Sequence, residues 1–383
     1  MTTPCYIIDN TELEASLKGF KDALDNYLDN YILSYSVKTN SLPFLLKTAN
    51  KDGYYAEVVS DDEYQLAIKC GFRKNQIVYN GPSKSKDTFL DAIKNKSIVN
   101  IETFHEIEWL SDLDNETNYQ VGLRMNINIS KVSPEDENHP EDDSRFGFSC
   151  ESGDFDSAVK AISQLKNIKI TRIHIHRTSR TRSVSFYERT LDYAINQFTI
   201  RNLPIEQIDI GGGYFGIMPN KPTFKEYALA ISSVLKKHNL SNRLGIIIEP
   251  GNAIVASCFD FITSVIDVKN HDGARYVTID GSRIDIDPFF HKDNYFMDIE
   301  LSQKNKVVPK QIIGGCTCLE SDRLTILYNR PALSIGDKIR FRRVGAYTMT
   351  LTPLFIRYWP CIYLNNGKDY ILVRDKWDAN KLL

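Results

Sequence analysis

The chain lacks an excess of either charge. Its 47 lysines and arginines nearly balance 49 aspartates and glutamates, for a formal net charge of −2. Total charge therefore gives no argument for nucleic acid or an anionic membrane, and no lysine-rich tract supplies a local one. The seven cysteines, an odd number without CxxC spacing, argue against a disulfide framework or a zinc cage and for reduced thiols. No stretch approaches the roughly 18 uninterrupted apolar residues that a membrane span needs. The opening "MTTPCYIIDNTELE" has no basic segment leading into an apolar core. The expectation is a soluble, unexported, cytoplasmic chain with no nucleic acid and no membrane, whose partner is a small molecule or another protein.

What is present suffices for a large core. At 383 residues, 42% hydrophobic and 11% aromatic, the chain can bury one large core or two smaller ones. From about residue 10 to 255, short β-rich strings ("YILSYSV", "YYAEVVS", "QIVYN", "SIVNIE", "YQVGLRMNI", "ITRIHIH", "QIDIGGG", "LGIIIEPG") alternate with amphipathic stretches such as "GDFDSAVKAISQL" and "TFKEYALAISSVLKKH". Strand and helix in alternation, eight times over, predict an α/β fold, a parallel (β/α)8 TIM-type barrel. After residue 256, strings such as "ARYVTID", "RLTILYN" and "CIYLNNGKDYILV" are joined by Gly, Asn and Asp turns and predict a separate C-terminal all-β domain, a sandwich or barrel. The first strand, "PCYIID", is expected to join it. The predicted domains are 10–255 for the barrel, and 1–9 with 256–383 for the β domain.

In such a barrel the carboxyl ends of the strands converge on one mouth. Lys38 ends the first strand in "YSVKTN", Glu57 the second, His174 and His176 lie on the sixth, Gly211, Gly212 and Gly213 follow the seventh, and Glu249 closes the eighth. Lys38 alone could simply snorkel to water. "GGGYFG" matches G-x-G-x-x-G, but a dinucleotide site needs a helix opening inside the motif, and here "YFGIMPNKP" intervenes. Triglycine after a barrel strand suits a phosphate better. The two histidines share a strand face. A metal would need a third ligand, and none is signalled nearby, so no metal is expected; a flat imidazole could instead stack on an aromatic cofactor.

The ordered set "YSVKTN", "AEVVSDDEYQLAIKCGF", "VYNGPSKS", "SRFGF", "HIHRTS", "DIGGGYFG", "EPGNAIVA", "GGCTCLESDRL" and "GAYTMTL" resembles the fold type III pyridoxal-phosphate-dependent decarboxylases, the group of ornithine and diaminopimelate decarboxylases, built on an alanine racemase-like barrel. The likeness spans residues 5 to 360. It implies pyridoxal 5′-phosphate as cofactor, held covalently by Lys38, which later returns a proton, with Glu249 facing the pyridine nitrogen and His176 stacking on the ring. Ser179, Gly211, Gly212, Gly213 and Tyr347 match phosphate contacts, Gly251 belongs to the matching "EPG", and Glu57 matches an acidic neighbour of the lysine. Cys318 matches a cysteine that enters from the second subunit and protonates the substrate carbon. The resemblance thus implies a homodimer with shared active sites, in which Arg145 and Asp322 match an ion pair across the interface. Taken singly, Tyr347 would pass for a core aromatic and Cys318 for a small buried hydrophobe.

Four departures bear on substrate. The usual arginine after "EPG" is Asn252, leaving Arg177, Arg180 or Arg182 to meet an anion. Thr178 replaces a glycine before Ser179. Asp287 stands where diaminopimelate decarboxylases typically place an arginine, which disfavours a distal carboxylate. The acidic residue expected directly after Cys318 is Leu319, with Glu320 one place later. Asp280 aligns with an aspartate that grips a distal amine. Asp280, Asp287 and Glu320 are therefore the expected substrate-binding residues, and the expected reaction is decarboxylation of an amino acid with a basic or amine-bearing tail. The alternatives are diaminopimelate decarboxylation or racemisation on the same fold. A non-catalytic regulator would lack Lys38 or Glu249, and a phosphate-sugar barrel enzyme would lack the cofactor.

Overall fold

In the computed structural model, residues 2–138, 144–271 and 273–381 are described; part of the polar loop "NHPEDDSRFGF" lies outside them. Two compact units emerge, residues 17–253 and residues 1–16 with 254–383.

The first unit is a closed parallel barrel. Its eight strands run Tyr31–Ser36, Tyr55–Ser60, Ile77–Ser83, Ile98–Ile101, Tyr119–Asn126, Ile168–His174, Gln207–Asp209 and Gly245–Ile248. The ring closes where the fourth strand pairs with the fifth, Asn100 opposite Gly122, and where the eighth pairs with the first, Ile247 opposite Ile32. Strands covered on both faces read as continuous apolar runs, and "GIII" of the eighth is wholly buried. Inside, Val78, Ile98 and Ile247 pack together, with Ile32 and Tyr55 against them. Helices start where small polar residues cap them. The Ser60 hydroxyl accepts from Glu63 N–H, and Thr223 with Glu226 forms a reciprocal box opening helix Phe224–Lys237.

The second unit is one mixed nine-stranded sheet. Strand Cys5–Asp9 lies between Phe259–His271, antiparallel to it, and Cys361–Asn365, parallel to it. The N-terminal strand therefore belongs to the β domain, as expected. No helix among the described residues is long and apolar enough to cross a membrane.

Candidate active site

The barrel mouth opens on a cavity of about 580 Å³ whose walls include Lys38, Glu57, His176, Arg177 and Glu249. Lys38 is not on the strand itself but on the single 3-10 turn Val37–Thr39 that follows Ser36. The strand's facing survives the turn, because the Ser36 hydroxyl and Lys38 Nζ donate to the same oxygen, Glu57 Oε2, at 2.6 and 2.5 Å. Asn80 Nδ2 then links the carboxylates, donating to Glu249 Oε1 at 2.6 Å and to Glu57 Oε1 at 3.3 Å. Asn100 Nδ2 continues the chain to Asn80 Oδ1 at 2.8 Å and Asp209 Oδ2 at 3.1 Å. An amine is thus connected to a buried carboxyl across the mouth through side chains alone.

Burial dominates the electrostatics. It pushes Asp209 up to about 7, and it pushes Glu249 well above the usual carboxyl range, with the neighbouring Asp209 and Glu57 charges adding to the effect. Burial likewise depresses His176 to about 3, helped by Lys38, Arg124 and Arg177, and holds His174 well below its ordinary value. Burial therefore favours the neutral form of both imidazoles. His176 Nδ1 accepts from Gly212 N–H at 3.2 Å, so its proton sits on Nε2. The ring nitrogens of His174 have no hydrogen-bond partner. His174, Asp209 and Glu249 bring ligand-capable atoms within 4.8 Å of one another, a separation at which a proton shared by the two carboxyls would relieve their repulsion without a cation.

The triglycine is a steric requirement. A Cβ on Gly211, at φ +69°, would lie 2.4 Å from His176 Nδ1, and one on Gly212 would lie 2.4 Å from the Glu249 carbonyl oxygen. At Gly251 a Cβ would meet Thr39 Oγ1 at 2.0 Å. Side chains here would fill the space between His176 and Glu249. A flat heteroaromatic ring and an anionic group fit these residues: a neutral imidazole face, a buried carboxyl for a ring nitrogen, a close amine, and bare glycine backbone.

Arg124 was not singled out from the sequence. Its Nη1 meets Glu102 at 2.5 Å, its Nη2 reaches the His176 carbonyl at 3.3 Å, and it lies 4.6 Å from the Phe146 ring centre. Arg145 lines the same cavity, 4.3 Å from that ring. The Ser179 hydroxyl donates to Asp136 at 2.6 Å rather than towards the cavity. Burial alone would raise Asp136, but the Ser179, Thr181 and Ser133 hydroxyls outweigh it and hold the carboxyl below its usual range. Asp136 thereby braces the loop that presents Arg177 and Thr178. Asn80, Asn100 and Asp209 were also missed; only Asn100 is the lone polar residue of its strand, Ile98–Ile101, while Asp209 shares a three-residue strand with Gln207.

In the β unit, Cys318 is exposed and Tyr347 is 44% exposed in left-handed backbone, φ +54°. Neither is the core residue its type would suggest, and a bulky residue at positive φ marks stored strain. The Glu320 side chain is 98% exposed beside Arg323. Asp280 Oδ1 accepts from Ser264 N–H at 2.8 Å. Asp287, expected to bind substrate, is buried and accepts from Arg283 Nε and Nη2 at 3.0 and 2.9 Å, from Tyr295, and from the N–H groups of His291 and Lys292. Asp322 is a similar internal hub, taking Ser282 Oγ, Arg283 N–H, and both Thr317 N–H and Oγ1, and so shapes the loop that carries Cys318.

Comparison with known proteins agrees with this geometry. The model of the pyridoxal-binding domain of pyridoxal-dependent decarboxylases matches residues 11–256. The diaminopimelate decarboxylase of Aquifex aeolicus is 27% identical over 366 residues, covering 91% of this chain and 83% of that one. That of Methanocaldococcus jannaschii is 25% identical over 394 residues, covering 98% and 89%. Among solved structures, a diaminopimelate decarboxylase from M. jannaschii superposes with TM-score 0.86 at 22% identity, covering 99% of this chain and 90% of that one. The arginine decarboxylase of Paramecium bursaria Chlorella virus gives 0.79 at 20% identity, covering 95% and 96%.

Proposed function

Because the chain belongs to the pyridoxal-dependent decarboxylases, and is a pyridoxal-phosphate-dependent carboxy-lyase, we propose that Lys38, Glu249 and His176 carry its chemistry at the barrel mouth on an amino acid with a distal amine. The observation that carries this reading is the Lys38–Glu57–Asn80–Glu249 chain of hydrogen bonds. Bound pyridoxal phosphate supplies the electron sink that lets an α-carboxylate leave as carbon dioxide. Lys38 would hold the cofactor covalently and move protons at Nζ, with Ser36 and Glu57 fixing where that nitrogen points. Glu249 would meet the cofactor's ring nitrogen. His176, neutral and locked by Gly212 N–H, offers a flat apolar face that excludes water. Bare backbone at Gly211–Gly213 and the Arg177 loop receive the phosphate, and the charge missing at Asn252 is made up from that loop. Cys318 of a second copy delivers a proton to the substrate carbon, so the active unit is a homodimer; its exposure in an isolated chain supports this.

The relatives named diaminopimelate decarboxylases support that amino acid as the substrate. Arg283 neutralises Asp287 internally, which removes the repulsion that would count against a distal carboxylate. The second reading is an amino acid with a basic tail alone, and the arginine decarboxylase of similar fold favours it. The test is carbon dioxide release from diaminopimelate, arginine, ornithine and lysine in each chirality by cofactor-loaded protein, with Lys38→Ala as control. Release from diaminopimelate alone supports the first reading, and release from a basic member alone supports the second. Solvent deuterium entering the α-position without carbon dioxide release would mean racemisation and would overturn both.

A further inference from the structure

The roles assigned to Glu249 leave the carboxyl beneath it without a task. Asp209, last residue of the seventh barrel strand, is fully buried, and its carboxyl brings an oxygen within 4.8 Å of one of Glu249. Two carboxylate anions offer acceptors alone and repel each other out of water, so a buried pair this close is favoured when one partner carries a hydrogen. The remaining acceptors are filled by N–H donors. Glu249 Oε1 takes Asn80 Nδ2 at 2.6 Å, Asp209 Oδ1 takes Gly211 N–H at 3.0 Å, and Asp209 Oδ2 takes Asn100 Nδ2 at 3.1 Å. Asn100 Nδ2 also reaches Asn80 Oδ1 at 2.8 Å, which links the two carboxyls through the amides. Asn80, Asn100 and Asp209 on three strands, with Glu249 just past the end of a fourth, are thus linked side chain to side chain.

We propose that Asp209 and Glu249 act as one acid, holding one proton and one negative charge, and that the proton lies on Asp209 whenever Glu249 faces the ring nitrogen of the cofactor. The balance is internal: the O–H bond lost at Glu249 forms at Asp209, and nothing enters from solvent. Asp209 is then a positioning residue that keeps Glu249 ionised without placing a second charge under the cofactor. The surrounding groups leave that task to it. Lys38 is paired with Glu57 and Arg124 with Glu102, Lys84 is paired with Glu106, and His174 and His176 are held neutral by burial. Burial pushes both carboxyls upward, the direction a retained proton requires.

The inference rests on the reading that Glu249 meets the ring nitrogen, and the experiment separates the two. Holoenzyme is loaded with cofactor isotopically labelled at the ring nitrogen, and the nitrogen resonance is followed against pH for the wild type, Asp209→Asn and Asp209→Ala. Infrared spectra are recorded in parallel for the C=O stretch of a protonated carboxyl. Asp209→Asn, which still donates to Glu249, should leave the resonance at its wild-type pyridinium position and abolish a protonated-carboxyl band that the wild type shows. Asp209→Ala, which cannot donate, should shift the resonance towards neutral pyridine and make it titrate. Absence of that band from the wild type overturns the proposal, as does an Asn variant whose resonance moves as far as that of the Ala variant. Glu249→Gln tests the premise separately: an unmoved resonance there sinks the ring-nitrogen reading, while a band lost in Asp209→Asn would still establish the shared proton.

Discussion

Asn80→Ala should be costly far beyond the size of the group removed. The side chain gives a 2.6 Å bond to Glu249, a longer 3.3 Å bond to Glu57, and an acceptor for Asn100 at 2.8 Å. A hydrogen bond to a charged group contributes about 1.5–3 kcal/mol and a neutral one about 1. The long bond counts little, and the three groups left behind are buried. The expected destabilisation is therefore about 3–4 kcal/mol, read from urea unfolding of the cofactor-free protein. Cofactor binding should weaken about tenfold if only about 1.4 kcal/mol of this falls on Glu249. Pairing the change with Asn100→Ala should show a coupling of about 1 kcal/mol, because the two residues share a bond. A loss below about 1 kcal/mol with unchanged cofactor affinity would mean that water replaces the amide, and the hydrogen-bonded chain would then not be a unit.

The remaining expectations concern other parts of the molecule. Lys84 and Glu106 form an ion pair with side chains 0% and 2% exposed, so Lys84→Met should cost about 3–5 kcal/mol by stranding a buried carboxylate, and Lys84→Met with Glu106→Gln should recover part of that in thermal unfolding. Burial raises Asp285 to about 7, so the folded form binds a proton that the unfolded form has released. Its contribution is full below the ordinary carboxyl range and is lost as pH rises through about 7. Asp285→Asn should therefore gain Tm over the wild type on the alkaline side, and parallel Tm curves would refute the assignment. Mixing the inactive variants Lys38→Ala and Cys318→Ala should restore about a quarter of wild-type activity if sites are shared in a two-fold dimer, and no restoration would place both residues of a site on one chain.

The barrel was legible because its alternation is long and its strands are largely apolar, and the mouth because Lys38 and Glu249 are charges just past the ends of such strands and Glu57 is a buried charge within one. His176 and the triglycine were readable for a related reason: few residues suit a crowded strand end. Partners distant in sequence were not readable. Ser179 looked like an anion contact, but its hydroxyl goes to Asp136, 43 positions away. Asp287 and Asp322 show in sequence only as charges, whereas their oxygens are consumed inside the β unit. Asn80 and Asn100 carry no motif. Their meaning appears only when the closed barrel sets neighbouring strands side by side.

The position of strand Cys5–Asp9 in its sheet also sets an order of events at the ribosome. One flanking strand, Phe259–His271, emerges some 250 residues later, and the other, Cys361–Asn365, later still. At about 5–20 residues per second, the roughly 100 residues between the two flanks take about 5–20 seconds to synthesise. During that interval one of the first segments made has an unpaired edge, although every barrel strand has already been synthesised. That interval is when a strand-seeking chaperone or a second nascent copy could pair with it.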